Sequence, residues 1–134
     1  MGNDHAEIAR EIFSRGWGEG DFSGLEEALA GPFMFHIRGT SQEMYLDGLR
    51  AIVARWRVGF PDLRFEIDDL VADGELVAVR TRLTGTNLGM WRERPPTGRR
   101  IEVEHMFFLR FRDRRLTEVF ELLDQEALSS QLEP

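Results

Sequence analysis

At Leu63 the hydrophobic pattern changes its period and does not change back. Upstream, apolar residues recur every three or four positions, the spacing of one helix face; downstream they alternate, the spacing of half-buried strands. A chain that is helical first and stranded afterwards packs its helices against one face of a sheet, an α+β layer architecture. The expected form is a curved, mostly antiparallel sheet wrapped around N-terminal helices, cone-shaped, with an apolar pocket, and with residues 1–134 as a single domain.

In the helical half, Asp4 and Glu7 stand at capping-box spacing ahead of Ala9, Ile12, Phe13 and Trp17, which predicts a first helix ending near Gly16, Gly18 and Gly20. Ser23 and Glu26 repeat the spacing ahead of Leu25, Ala28 and Leu29, predicting a second, shorter helix closed by Gly31-Pro32. Residues 33–38 alternate and read as an edge strand. Asp47 is expected to cap a third helix carrying Leu49, Ile52, Val53, Trp56 and Phe60 on one stripe, which Pro61 ends.

In the stranded half, residues 63–72 and 76–86 form a hairpin through Asp73-Gly74. Val77, Val79, Thr81 and Leu83 share its buried face; Arg80 and Arg82 take the wetter one. Residues 85–100, with Pro95-Pro96, read as a loop. A long strand, a turn at Asp113-Arg114, a last strand and a helical tail over 125–132 complete the chain.

Period two over residues 116–124 puts Leu116, Glu118, Phe120, Leu122 and Asp124 on one face. A carboxylate beside apolar surface loses hydration, which suits it to moving protons. Aspartate is also a good N-cap for the helix that follows, so both roles stand open.

Several chemistries are excluded. The chain has no cysteine, which removes disulfides, thiol nucleophiles and cysteine-rich zinc sites. Its histidines are His5, His36 and His105, so a multi-histidine centre would consume nearly all of them, and no metal or cofactor is expected. All 17 basic residues are arginine, so lysine Schiff-base chemistry is absent. A net charge of −7 argues against a nucleic-acid partner, and Arg92, Arg94, Arg99 and Arg100 read as solvated loop charge. The N-terminal residues lack a leader pattern and no apolar run approaches a membrane span, so a cytoplasmic protein without a membrane partner is expected.

Four segments carry a family resemblance: Phe60-Pro61-Asp62-Leu63, residues 77–85, Pro95-Pro96-Thr97-Gly98-Arg99-Arg100, and Leu109-Arg110-Phe111-Arg112-Asp113. Together they resemble the SnoaL-like polyketide cyclases, also called the ester cyclase family, of the cone-fold superfamily that includes ketosteroid isomerase and scytalone dehydratase. The resemblance implies a cofactor-free intramolecular aldol ring closure, with an aspartate at the end of the last strand as acid and base; Asp124 occupies that position. The family's histidine on the preceding strand falls on Phe107, a departure. Two further departures are Arg114, where relatives have glycine, and Asn87, where they often have histidine.

His105 shares a face with Phe107, Leu109 and Phe111, from which it would polarise a carbonyl or orient Asp124; the alternative is a core histidine satisfied by a backbone carbonyl. Trp17, Trp56, Phe60, Met90, Phe107, Leu109, Phe120 and Leu122 are the expected pocket wall, and Tyr45, His36 and Asn87 the candidate polar groups. Trp91 reads as a lid or a dimer contact. The enzyme reading has two rivals: a non-catalytic module that binds an apolar ligand or serves to dimerise, and an epoxide hydrolase-like or isomerase-like activity. A homodimer is expected through the outer sheet face, where Met106 and Phe108 lie among Glu102, Glu104 and Arg110.

Overall fold

The computed structural model describes residues 2–133. Helix α1 (Gly2–Glu11) continues as π-helical turns (Ile12–Trp17) and is followed by β1 (Phe33–Ile37), β2 (Thr40–Met44), α2 (Leu46–Gly59), β3 (Arg64–Asp73), β4 (Leu76–Thr86), β5 (Arg100–Arg112), β6 (Arg115–Leu123) and α3 (Gln125–Leu132). The six strands make one open sheet in the order β2-β1-β6-β5-β4-β3. Neighbours are antiparallel except β1 and β6, which run parallel. The architecture is α+β, as the change of period requires. No helix among the described residues is long and apolar enough to cross a membrane.

β5 sets the inside and the outside. Its burial alternates without a break, with Ile101, Val103, His105, Phe107, Leu109 and Phe111 facing the helices and the residues between them exposed. In β4 the expected face is the buried one, and Arg80 and Arg82 lie opposite, paired with Asp68, Asp69 and Glu104. The π-helical turns bury Ile12, Phe13, Gly16 and Trp17, a wider winding that brings adjacent pairs onto one side. Phe13 and Trp17, four residues apart and so on one side, both reach Phe65 and Phe107, at ring separations of 4.5–5.8 Å. A fully buried Phe or Leu in such a core contributes about 1.5–3 kcal/mol relative to leaving it exposed.

Local signals were misread where tertiary contacts decide the backbone. No helix forms at residues 23–30: the segment is a series of turns, opened by Asp21, whose Oδ1 accepts from Ser23 N at 3.0 Å, while Leu25 and Leu29 are still buried. α1 is already helical at Gly2, so Asp4 lies inside it and does not cap it. Tyr45, without a side-chain bond, occupies the N-cap of α2; Asp47 is the second helical residue, within the first turn, beside Arg50. β1 is an interior strand, because a second strand, β2, pairs outside it through the Arg38-Gly39 turn. The β3–β4 hairpin turns one residue later than expected, on Gly74-Glu75, with Gly74 at φ +62°.

The β5–β6 turn keeps the left-handed conformation in which glycine is usual, with Asp113 at φ +50° and Arg114 at φ +66°. His5 offsets part of that strain. Its Nδ1 donates to Gly74 O at 2.8 Å and its Nε2 accepts from Arg114 N at 3.2 Å, so one imidazole ties both hairpin turns to α1.

The loop after β4 is organised by Asn87, which is 2% exposed. Its Nδ2 donates to Gly59 O and Gly89 O, and its Oδ1 accepts from the Thr97 backbone and hydroxyl. These bonds seat Gly89 so tightly on α2 that an added Cβ would lie 2.0 Å from Val58 O. Gly89→Ala should therefore lift the loop, destabilising the protein by about 1–3 kcal/mol and red-shifting tryptophan emission as Trp91 leaves Trp56. An unchanged melting curve and emission maximum would refute this seating.

Candidate active site

One extra residue in β6 decides which side chains enter the interior. Pairing with β5 passes from Phe111↔Leu116 to Arg110↔Glu118, leaving Thr117 without an opposite number. This is a β-bulge, and Thr117 Oγ1 donates to Arg110 O at 3.1 Å across it. Beyond the bulge the alternation is reversed. Val119, Glu121 and Leu123 are buried, whereas Phe120 and Leu122 are 42% and 71% exposed.

Glu121 consequently lies opposite Phe107 on the inner face, one pleat from His105. His105 is fully buried, and its Nε2 is hydrogen-bonded to Glu121 Oε2. The imidazole is enclosed by Phe107, Trp17, Phe65 and Trp56, with ring centroids 4.4–6.2 Å away. Thr81 Oγ1 fixes the strand beneath it by donating to His105 O at 2.5 Å. Nε2 faces the carboxylate, and the other ring nitrogen, Nδ1, is buried without a hydrogen-bond partner. The other carboxylate oxygen, Glu121 Oε1, has no hydrogen bond among the described residues and, unlike Nδ1, keeps contact with solvent.

Glu121 stands at the border of a cavity of about 590 Å³. Phe35, Ile52, Trp56 and Trp91 supply its apolar wall; Arg38, Arg55, Arg92, Gln42 and Gln125 supply its rim; Glu121 is the one acid that lines it. Trp91 packs on Trp56 with ring centroids 4.2 Å apart and the planes tilted by 39°, which holds the loop against α2. Arg92 donates to Gln125 Oε1 at 3.0 Å and lies 5.0 Å from the Trp91 ring centre. Among the described residues no group of three or more His, Cys, Asp or Glu side chains is placed to hold a metal ion.

The profile of the SnoaL-like polyketide cyclases matches residues 7–132. The chain belongs to that family. A protein from Jannaschia sp. CCS1, assigned as a SnoaL-like polyketide cyclase, superposes with a TM-score of 0.85 at 25% identity over 98% of this chain and 94% of its own. IdmH from Streptomyces antibioticus, assigned as a polyketide cyclase, gives 0.79 at 25% identity over 96% and 97%. AclR from Streptomyces galilaeus, assigned as a hydroxylase, gives 0.83 at 22% identity over 98% and 82%, a likeness of fold. No curated protein matches the sequence. Cyclase and hydroxylase assignments on one backbone mean that this chain's chemistry must be argued from its own side chains.

In this SnoaL-like chain Asp124 is exposed, and its Oδ1 accepts from Ala127 N at 3.0 Å. It is the N-cap of α3 and lies outside the cavity, because the bulge moved the inward parity to Glu121. His105 faces inward as expected, but its partner is Glu121. Of the expected wall, Trp56 and Met90 line the cavity; Trp17 and Phe107 enclose His105; Phe60 packs behind Trp56 and Trp91. Leu109 is deep core, and Phe120 and Leu122 belong to the outer face. Tyr45 is 51% exposed at the start of α2. His36 lies on the outer face, bonded to Ser41 Oγ at 2.7 Å and Glu118 Oε2 at 2.8 Å, and Asn87 is spent on the loop backbone.

Sequence reasoning missed Glu121 because β6 is apolar at both parities, Phe120 and Leu122 at one and Val119 and Leu123 at the other. Alternation alone cannot choose between them. For Asp124 as a cap, the expected outcome is that Asp124→Ala lowers stability in urea unfolding by about 1 kcal/mol while Asp124→Asn, which retains a capping oxygen, loses far less. Equal losses would refute the capping role.

Proposed function

We propose that this protein is a cofactor-free acid–base enzyme of the polyketide cyclase type, in which Glu121, backed by His105, moves the proton. The observation that carries the reading is a buried carboxylate–imidazole pair beside an aromatic-walled cavity, with one ring nitrogen buried and unpartnered and the second carboxylate oxygen open to the cavity side. Leaving a polar atom bare in an interior costs stability, and such a cost is retained where chemistry uses it. In this reading Glu121 removes a proton from carbon next to a carbonyl, and the resulting enolate carbon attacks a second carbonyl of the same molecule. One carbon–carbon bond forms, and the new alkoxide takes the proton back from Glu121, so no electrons are exchanged with an outside reagent.

His105 would orient the carboxylate and share the proton through Nε2. A positioned base contributes typically about 10²–10⁴-fold, and holding the folded conformer of a flat apolar substrate between Trp56 and the opposite wall adds the advantage of an intramolecular reaction. The absence of a second acid in the cavity lining weighs against an epoxide hydrolase mechanism, which needs an acid–arginine–acid set.

The test is α-proton exchange of 2-tetralone in D₂O, followed by NMR. The protein should accelerate exchange over buffer; Glu121→Gln should cut the acceleration by at least about 100-fold, and Asp124→Asn should leave it within about two-fold, since a cap touches no reacting atom. Full exchange activity in Glu121→Gln would overturn the assignment. Binding of 2-tetralone with no acceleration in the parent protein would favour the non-catalytic module.

The same bulge supports the expected homodimer. Phe120, Leu122, Met34, Met106, Phe108 and Val71 leave large apolar surface on the outer sheet face, beside a groove of about 690 Å³. Arg80 and Arg110 flank it together with Asp69, Glu104 and Glu118, a mixture of signs that complements itself across a two-fold axis. A second copy packed there would be released by Leu122→Arg. Light scattering should then report a dimer for the parent and a monomer for the variant; a monomeric parent would refute the interface.

A further inference from the structure

Three arginines share the rim of the cavity: Arg38 from the β1–β2 turn, Arg55 from α2 and Arg92 from the loop after β4. The chain as a whole carries −7, so this concentration of positive charge runs against the molecule's own field. On the outer face, by contrast, Arg80, Arg82 and Arg110 are matched to Asp68, Asp69, Glu66, Glu104 and Glu118. Arg38, Arg55 and Arg92 have no carboxylate at salt-bridge distance among the described residues. The one acid in the lining, Glu121, is engaged with His105.

Two of these groups stand at the tips of tight turns. Arg38-Gly39 and Arg92-Glu93 are the central pairs of turns closed by Ile37↔Thr40 and Trp91↔Arg94, so Arg38 sits at φ +51° and Arg92 at φ +49°, the left-handed conformation such turns require at both central residues. Arg92 is also oriented in advance: one Nη is bonded to Gln125 Oε1 and the guanidinium lies near the Trp91 ring, which leaves its remaining donors available. Burial pushes the Arg92 guanidinium below its ordinary value, the charge of Arg38 pushes it the same way, and Glu121 draws it back up. Like charges held together in this way repel until an anion arrives.

We propose that the rim formed by Arg38, Arg55 and Arg92 is a subsite for a carboxylate carried by the substrate, whose flat apolar body then lies along Trp56 and Trp91 with its reacting carbon toward Glu121. The inference rests on reading this cavity as the substrate site. A guanidinium fork and a carboxylate are complementary in shape as well as charge, and the aromatic wall directly beyond the rim requires the anionic group to be attached to an apolar frame. The rim would select anionic substrates and fix which end enters first.

Calorimetric titration with 2-naphthoate and with methyl 2-naphthoate tests the subsite, since the two differ chiefly in the charge. The parent protein should bind the carboxylate at least about ten-fold more tightly than the ester, with the preference shrinking as salt rises. In the Arg38→Gln/Arg92→Gln double variant the ratio of carboxylate to ester affinity should fall to about two-fold or less. Arg38 and Arg92 both keep solvent-exposed surface even though the Arg92 guanidinium is partly desolvated among its neighbours, and circular dichroism checks that the variant is folded. Equal affinities in the parent, a preference that survives in the double variant, or no binding of either probe would overturn the subsite. The exchange experiment separates the two ideas: ester binding without carboxylate preference, alongside Glu121-dependent exchange, sinks the subsite alone. A clear preference with exchange indifferent to Glu121→Gln sinks the acid–base reading alone.

Discussion

Which side chains of β6 face the interior and which the outside is set by the unpaired residue at Thr117. A hairpin with a two-residue turn at Asp113-Arg114 and no bulge would place Phe120 opposite Phe107 and turn Glu121 to solvent. The observed register places Glu121 there instead. Side chains alternate with period two, so a slip of one residue exchanges the two faces of a strand along the rest of its length. A single inserted residue thus brings a carboxylate to His105 and exposes two large apolar side chains behind it. The ladder bonds interrupted at the bulge are offset in part by the Thr117 hydroxyl, which bonds across the gap.

The Glu121–His105 pair is not a device for stability. Taking a carboxylate and an imidazole out of water is costly, and an apolar pair of similar volume would usually serve the core as well or better. The surroundings instead fix the geometry of the pair. Phe107, Trp17, Phe65 and Trp56 confine the ring on several sides, and Thr81 anchors its backbone. Residues 12–17 serve the same end, since Phe13 and Trp17 lie one helical turn apart and both face the sheet. Rigid support from regular elements positions a reacting group better than a loop does, and both members of the pair stand on central strands.

The sequence made the long periodic elements legible. β3, β4 and β5, α2 and the buried faces of β4 and β5 follow from alternation or helical spacing sustained over ten residues or more, where one wrong residue cannot disguise the period. The failures cluster where a single residue decides. Residues 23–30 hold a capping pattern too short to nucleate a helix, and the packing of Leu25 and Leu29 is satisfied by turns. β2 carries four exposed residues and almost no apolar signal; it is a strand because β1 pairs with it. Asp124 was read on the wrong side for the same reason that Glu121 was not seen at all. A bulge leaves no mark on composition, and β6 is apolar at both parities.

The cavity places opposite demands on solvent at its two ends. At the floor, His105 is fully buried among aromatic rings, so its hydrogen bond to Glu121 stands in a medium that screens charge less than water does. At the rim, Arg38, Arg55 and Arg92 keep positive charge close to an aromatic wall that would otherwise favour any apolar molecule. Arg92 reaches the rim by way of a tight turn: Arg92 and Glu93 are its two central residues, closed by mutual backbone bonds between Trp91 and Arg94, and both take the left-handed conformation such a turn requires. The same turn seats Trp91 on Trp56, so one local structure supplies both a wall of the cavity and a charge at its mouth.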